Sequence, residues 1–253
     1  METLKTKKID IKGIFELVFV ILSTLFSVAS IAISSTIIFH NNYYEFFWVN
    51  GQSMYPTLNK NAKKSDGRLI GIRDVDAEGN YDVDYGYMDK HESVINNIKR
   101  FDIIVCHQIG SEKDIIKRVI ALPGEEFYIV SSNNKEADGD NGNLYVKNKD
   151  TNEFEYVAQD FISVELLRAG NYMITGGNEK YNTGYELDKD EYFVMGDNRL
   201  PDCSSDSRGY PKGILKSNIK GVAIGLEGTC SVIRGSDNKL KSAYIKRYWP
   251  TRF

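Results

Sequence analysis

Ser53, in the run GQSMYPTL, and Lys117, in the run DIIKRVIALPGE, are the residues of this chain whose surroundings best suit them to chemistry. A serine hydroxyl is a poor nucleophile until a base takes its proton. Histidine, the commonest base, is scarce, with only His40, His91 and His107 present. A lysine amine can do the same work where its surroundings keep it neutral, which is the serine–lysine variant of the hydrolytic dyad. Burial among Ile115, Ile116, Val119 and Ile120 would lower the Lys117 pKa from its ordinary value of about 10.4. Strand neighbours face opposite sides, so one of Lys117 and Arg118 is expected to point outward. Arg118 cannot be the base, because a guanidinium does not deprotonate. Around Ser53, Gly51 permits a positive φ and Pro56 stiffens the turn. The backbone N–H of Ser53 is then a candidate oxyanion donor. Taken alone, GQSMYPTL also reads as an ordinary Gly/Pro surface turn.

Three runs in order decide between these readings: GQSMYPTL, KRVIALPGE and YFVMGDNR…SSDSR, all downstream of an apolar segment. Together they resemble the signature boxes of the bacterial type I signal peptidases, membrane-anchored serine endopeptidases that remove signal peptides from exported proteins. The resemblance implies Ser53 as nucleophile, with Gly51 and Met54 in its box, and makes Lys117 the inward-facing base. It implies that Ser204 orients the lysine, that Asp206 and Arg208 form a supporting ion pair, and that Asp197 and Arg199 shape the adjoining loop. It implies no cofactor. Its expected partners are the signal peptides of secretory pre-proteins, with small residues at −1 and −3, and membrane lipid. Part of the family uses a serine two positions before the nucleophile as a second oxyanion donor, where this chain has Gly51. The GDNR…DSR loop is also longer than the usual spacing, so Ser205 competes with Ser204. His107 is the alternative base, although the family's histidine-using relatives carry theirs in the lysine box. Two other functions share some of these features: a membrane-anchored binder that does not cut, and a self-cleaving serine–lysine repressor-type protease. The first has no need of both Ser53 and Lys117. The second accounts for neither the apolar segment nor the GDNR box.

The 253-residue chain has 42% hydrophobic and 26% charged residues and a net charge of −3, so nothing points to nucleic acid. Leu17 to Phe39 carries no charge. As a helix it would be roughly 35 Å long, enough for the roughly 30 Å hydrocarbon layer and longer than the apolar core of a cleavable signal peptide. Lys5, Lys7, Lys8 and Lys12 precede it, and no Lys or Arg follows until Lys60. The positive-inside rule therefore puts the N-terminus in the cytoplasm and Ser53 outside the cell membrane. The crowded aromatics Tyr43, Tyr44, Phe46, Phe47, Trp48 and Tyr55 suit the headgroup region, though the alternation in EFFWV also suits a packed strand. The odd set Cys106, Cys203 and Cys230 reads as small apolar thiols, with Cys203–Cys230 the pairing favoured by position if a bridge forms. No Cys/His spacing suggests a metal.

The remaining chain reads as mainly β, an antiparallel sheet domain, from short Ile/Val/Tyr/Phe runs: RLIGI, FDIIVC, DIIKRVIAL, EFYIV, NLYV, NYMIT, EYFVM and GVAIGL. Helix is expected at His91–Lys99 and near Asn238–Tyr248. Lys60–Lys99 is long and charged for a link, and Ser131–Asn143 has a loop's composition. The expected organisation is a cytoplasmic N-terminus (1–16), a transmembrane helix (17–39), a catalytic β domain (40–122 and 191–253) and a smaller inserted accessory β domain (123–190).

Overall fold

The computed structural model describes residues 11–61, 63–64, 81–111, 113–130, 140–168, 183–200, 202–234 and 240–253. The expected strands RLIGI and NYMIT, the lysines at 5, 7 and 8, and most of Ser131–Asn143 lie outside these residues.

Helix α1 runs Ile11–Tyr43. Its apolar side chains stand exposed all round, with Phe15 at 73%, Phe26 at 75% and Ile31 at 67%. A helix that is hydrophobic on every face requires an apolar solvent. The hydroxyls of Thr24, Ser27, Ser30 and Thr36 each donate to the carbonyl four residues back, so the helix adds few unpaired polar groups to such a solvent. Lys12–His40 is long and apolar enough to cross a membrane. The helix forms one compact unit and Tyr44–Phe253 another.

The second unit is built from antiparallel strands in two sheets. Strands β1 (Tyr44–Trp48), β2 (Lys63–Lys64) and β3 (Tyr81–Asp89) come first, followed by a short helix α2 (Glu92–Ile95). Strand β4 (Ile103–His107) follows, and β5 (Asp114–Ala121) carries the lysine run. Then come β6 (Glu126–Ile129), β7 (Leu144–Lys147), β8 (Phe154–Val157), helix α3 (Val164–Arg168) and β9 (Tyr185–Glu186). The chain ends with β10 (Glu191–Met195), β11 (Ile214–Leu215), β12 (Ile219–Arg234) and β13 (Leu240–Arg252). The large sheet has the order β1-β3-β12-β4-β5-β10-β11, with β13 added to β12 and β2 to β3, and the small sheet has the order β8-β7-β6-β9.

The small sheet occupies the interval expected for an inserted domain. Its core is continuous with that of the large sheet: Phe127, Ile129 and Leu144 pack in one cluster with Ile120, Ala121, Phe193 and Met195. A second cluster, including Ile104, Cys106, Val119 and Val194, fills the large sheet, and a third packs Met54 and Leu58 of the serine run on Ile103 and Ala223. In β1, Phe47 packs on this third cluster while Phe46 and Trp48 remain 39% and 45% exposed. All three cysteines are buried, and no disulfide joins them.

Two helix expectations are corrected. The helix at His91–Lys99 is confined to Glu92–Ile95. The segment near Asn238–Tyr248 belongs to β13, which pairs with β12 from Leu240 to Arg252. Its Leu, Lys, Ala and Arg favour helix weakly, and long-range pairing overrides that preference. Pro250 is tolerated because β13 lies at an edge, where a missing N–H breaks no second ladder.

Candidate active site

Ser53 sits in the loop between β1 and β2, with Met54 and Leu58 buried beneath it. Gly51 has φ +101, the region that favours glycine, and no neighbouring heavy atom lies within 4 Å of where its Cβ would be. No side chain at residue 51 can therefore act as an oxyanion donor. Strand β5 carries Lys117 opposite Ile104 on β4. The Lys117 amine donates to Ser53 Oγ at 2.8 Å and to the Ile116 carbonyl at 2.9 Å. Lys117 is only 3% exposed. Burial pulls its pKa from 10.5 down to about 8, against the opposing charge of Asp206. Cys106 lies on the same strand pair, and burial pushes its thiol up to about 12, so it stays neutral.

The third run closes over this pair. The Asn198 backbone N–H donates to the Ser53 carbonyl at 3.0 Å, and its side chain donates to the Gln52 carbonyl at 3.1 Å. Gly196 has no room for a side chain, because the Ser53 carbonyl and the Ser204 hydroxyl both occupy that space. Asp206 is 1% exposed and pairs with Arg208 through Nε at 2.8 Å and Nη2 at 2.9 Å. Burial pushes the Asp206 carboxyl up. Arg208, the Gly196 N–H and the Ser204 hydroxyl outweigh that effect and hold it at about 2. Ser204 donates to Asp206 at 2.7 Å and not to Lys117, whose amine is engaged by Ser53 and Ile116. Ser205 is exposed and pairs with Tyr210.

Arg118 was expected to point outward, but it is 7% exposed. Its guanidinium forms a two-pronged ion pair with the fully buried Asp197, at 2.8 and 2.6 Å, and lies 4.2 Å from the centre of the Phe161 ring. Strict alternation gave the wrong result because both faces of β5 are covered at this point. Thr57 of the serine loop also donates to Asp197, so this carboxylate links all three runs. Arg199 is fully buried and donates to the Gly196 carbonyl at 2.8 Å and to Gln159 at 2.9 Å. Phe161 and Gln159 belong to the interval read as accessory, so that interval covers the two arginines behind the site. His107 is half exposed and its ring meets Asp114 at 2.8 Å. Among the described residues no three His, Cys, Asp or Glu side chains gather as a metal would require.

Thr57, Asn198 and Gly196 lie inside the three runs but carry no signal of their own in the sequence, and Arg118 is marked there only as unfit to be the base.

A model of the family described as "Signal peptidase, peptidase S26" matches residues 17–225. The signal peptidase I of Streptococcus pneumoniae serotype 4 is 30% identical over 191 residues, covering 64% of this chain and 74% of its own. Signal peptidase I U of Bacillus subtilis is 27% identical over 205 residues, covering 81% of this chain and 84% of its own. A solved signal peptidase I from Enterococcus faecalis V583 overlays 50% of this chain and 96% of its own, with TM-score 0.32 and 23% identity. The family match spans all three runs and most of the apolar helix, and the chain belongs to the signal peptidase family, peptidase S26, a family of serine peptidases.

Proposed function

We propose that this protein is a membrane-anchored endopeptidase that cuts signal peptides from exported pre-proteins with a Ser53–Lys117 dyad. The observation that carries this reading is the 2.8 Å contact between Ser53 Oγ and a lysine amine that burial holds at about 8. Neutral Lys117 takes the hydroxyl proton as Ser53 Oγ attacks the carbonyl carbon at the cleavage site. The peptide C–N bond then breaks, the leaving amine receives that proton, and an ester forms on Ser53. Water, deprotonated by the same amine, attacks the ester carbon, the C–O bond to Ser53 breaks, the second product leaves as its carboxylate, and the amine returns the proton to Ser53 Oγ. The Ser53 N–H would stabilise the oxyanion.

Asp206 and Arg208 would hold the polar environment of the amine, and Ser204 would act on it through Asp206. Asp197 and Arg118 would hold β5 against the serine loop. Strand β4 pairs with β5 from Asp114 to Arg118, whereas β10 reaches only from Arg118 to Ala121. The second edge of Asp114–Lys117 has no strand partner among the described residues. An extended substrate can add there as a strand, which brings its backbone past Lys117 and Ser53. The α1 helix would be the anchor, with the N-terminal lysines in the cytoplasm and the β unit outside. The 123–190 interval would be an accessory region supporting the site.

The full chain in detergent should cut a pre-protein once, after small residues at −3 and −1, as mapped by mass spectrometry. Ser53→Ala should abolish the cut. An undiminished cut by Ser53→Ala, or none by the parent, would refute the reading.

A further inference from the structure

Strand β1 pairs with β3 up to Trp48 opposite Tyr85, and β2 rejoins the same strand at Lys63 opposite Asp82. The serine loop is thus an excursion from one edge of β3, leaving and returning on either side of Asp84. In an uninterrupted ladder Val49 would be the next partner of Asp84, each donating to the other's carbonyl. Only half of that exchange is present: Val49 N–H donates to the Asp84 carbonyl at 2.9 Å.

The side-chain amide of Asn59 is inserted into the other half. The Asp84 N–H donates to Asn59 Oδ1 at 2.8 Å, and Asn59 Nδ2 donates to the Val49 carbonyl at 2.9 Å. The same Nδ2 donates to the Gly51 carbonyl at 2.7 Å, and the Asn59 N–H donates to Asp84 Oδ2 at 2.6 Å. Asn59 is 4% exposed and has φ +61, a conformation that asparagine tolerates better than most residues.

We infer that Asn59 is a positioning residue for Ser53, its amide standing in for a peptide group to hold the nucleophile loop open at the edge of β3. The inference rests on the reading of Ser53 as nucleophile. An amide alone supplies both the acceptor for Asp84 and the donor for Val49 and Gly51. Leucine or alanine would take these partners from three buried or part-buried backbone groups. Aspartate has the same shape but would turn a carboxylate oxygen toward two carbonyls. Gly51 lies two residues from Ser53, so a shift there passes to the hydroxyl, and a misplacement of about 1 Å can cost about a hundredfold in rate.

The test compares Asn59→Asp and Asn59→Gly with the parent and Ser53→Ala, all as full chains in detergent, on pre-protein cleavage well below each Tm. The expected result is a fall in kcat of ten- to a hundredfold for Asn59→Asp and at least as much for Asn59→Gly, with KM within about threefold of the parent. A role in folding alone would lower Tm and leave kcat per folded molecule unchanged, and that result overturns the inference. If Ser53→Ala cuts, the proposed function fails first. If it does not cut and the Asn59 variants keep full kcat, only the positioning role fails. Amide exchange in the parent covers the case in which both variants misfold. The Asp84 N–H should exchange as slowly as the β3–β12 ladder, and exchange at the rate of the exposed Lys60 amide would overturn the inference.

Discussion

A buried amine held at about 8 destabilises the fold wherever it is protonated. Between about 8 and 10.5 the unfolded chain holds a proton that the native chain has released. Stability from Lys117 therefore rises with pH across that window and is lowest below it. The shift corresponds to at most about 3 kcal/mol. Lys117→Met should therefore raise the Tm at pH 7 by several degrees while ending cleavage. The gain should shrink toward nothing at pH 11, where the native and unfolded lysines are both neutral. Thermal unfolding of parent and variant at the two pH values measures this. A Tm that falls equally at both would mean that the amine imposes no such cost. Arg118 and Asp197 solve burial differently, as a guanidinium and a carboxylate bound to each other at two points.

Among the elements, the contact between the β10–GDNR turn and the serine loop depends on Gly196. A methyl group there meets the Ser53 carbonyl and the Ser204 hydroxyl. Gly196→Ala should push the two loops apart, costing about 1–3 kcal/mol of stability and more than tenfold in kcat. Chemical denaturation and cleavage rates measure the two effects, and a variant with parental kcat would show that the close approach is unnecessary. These elements differ in how far the sequence disclosed them. Strands β4, β5, β10 and the start of β12 were legible because Ile, Val and Phe are dense in them. Strand β13 was not, because its stability comes from pairing with β12 and not from its own composition. The three runs were legible as a group, and so was the meeting of Ser53 with Lys117. The Ser204–Asp206 bond, the burial of Arg118 and the Asn59 wedge were not, because each depends on how separate strands are stacked and leaves no periodic trace along the chain.

For the whole molecule, an apolar helix and a β unit are joined directly at Tyr43 and Tyr44. Applied to the lysines before the helix, the positive-inside rule predicts that the β unit lies outside the cytoplasm. Protease added to intact spheroplasts should therefore digest the region after Phe39 and spare a tag placed before Lys5. A protected β unit with an accessible tag would reverse the topology and take Ser53 away from exported substrates.

If a neutral Lys117 activates Ser53, the amine and the reaction must titrate together, and one experiment follows both. Cleavage by the full chain is recorded across pH 5–10, and the Lys117 Nζ signal is titrated by NMR in the same detergent. The expected result is that kcat/KM rises with pH along a limb centred near 8 and that the Lys117 amine loses its proton with the same midpoint. An amine that titrates near 10 while cleavage is already at full rate at pH 7 would contradict it and return His107 to consideration as the base.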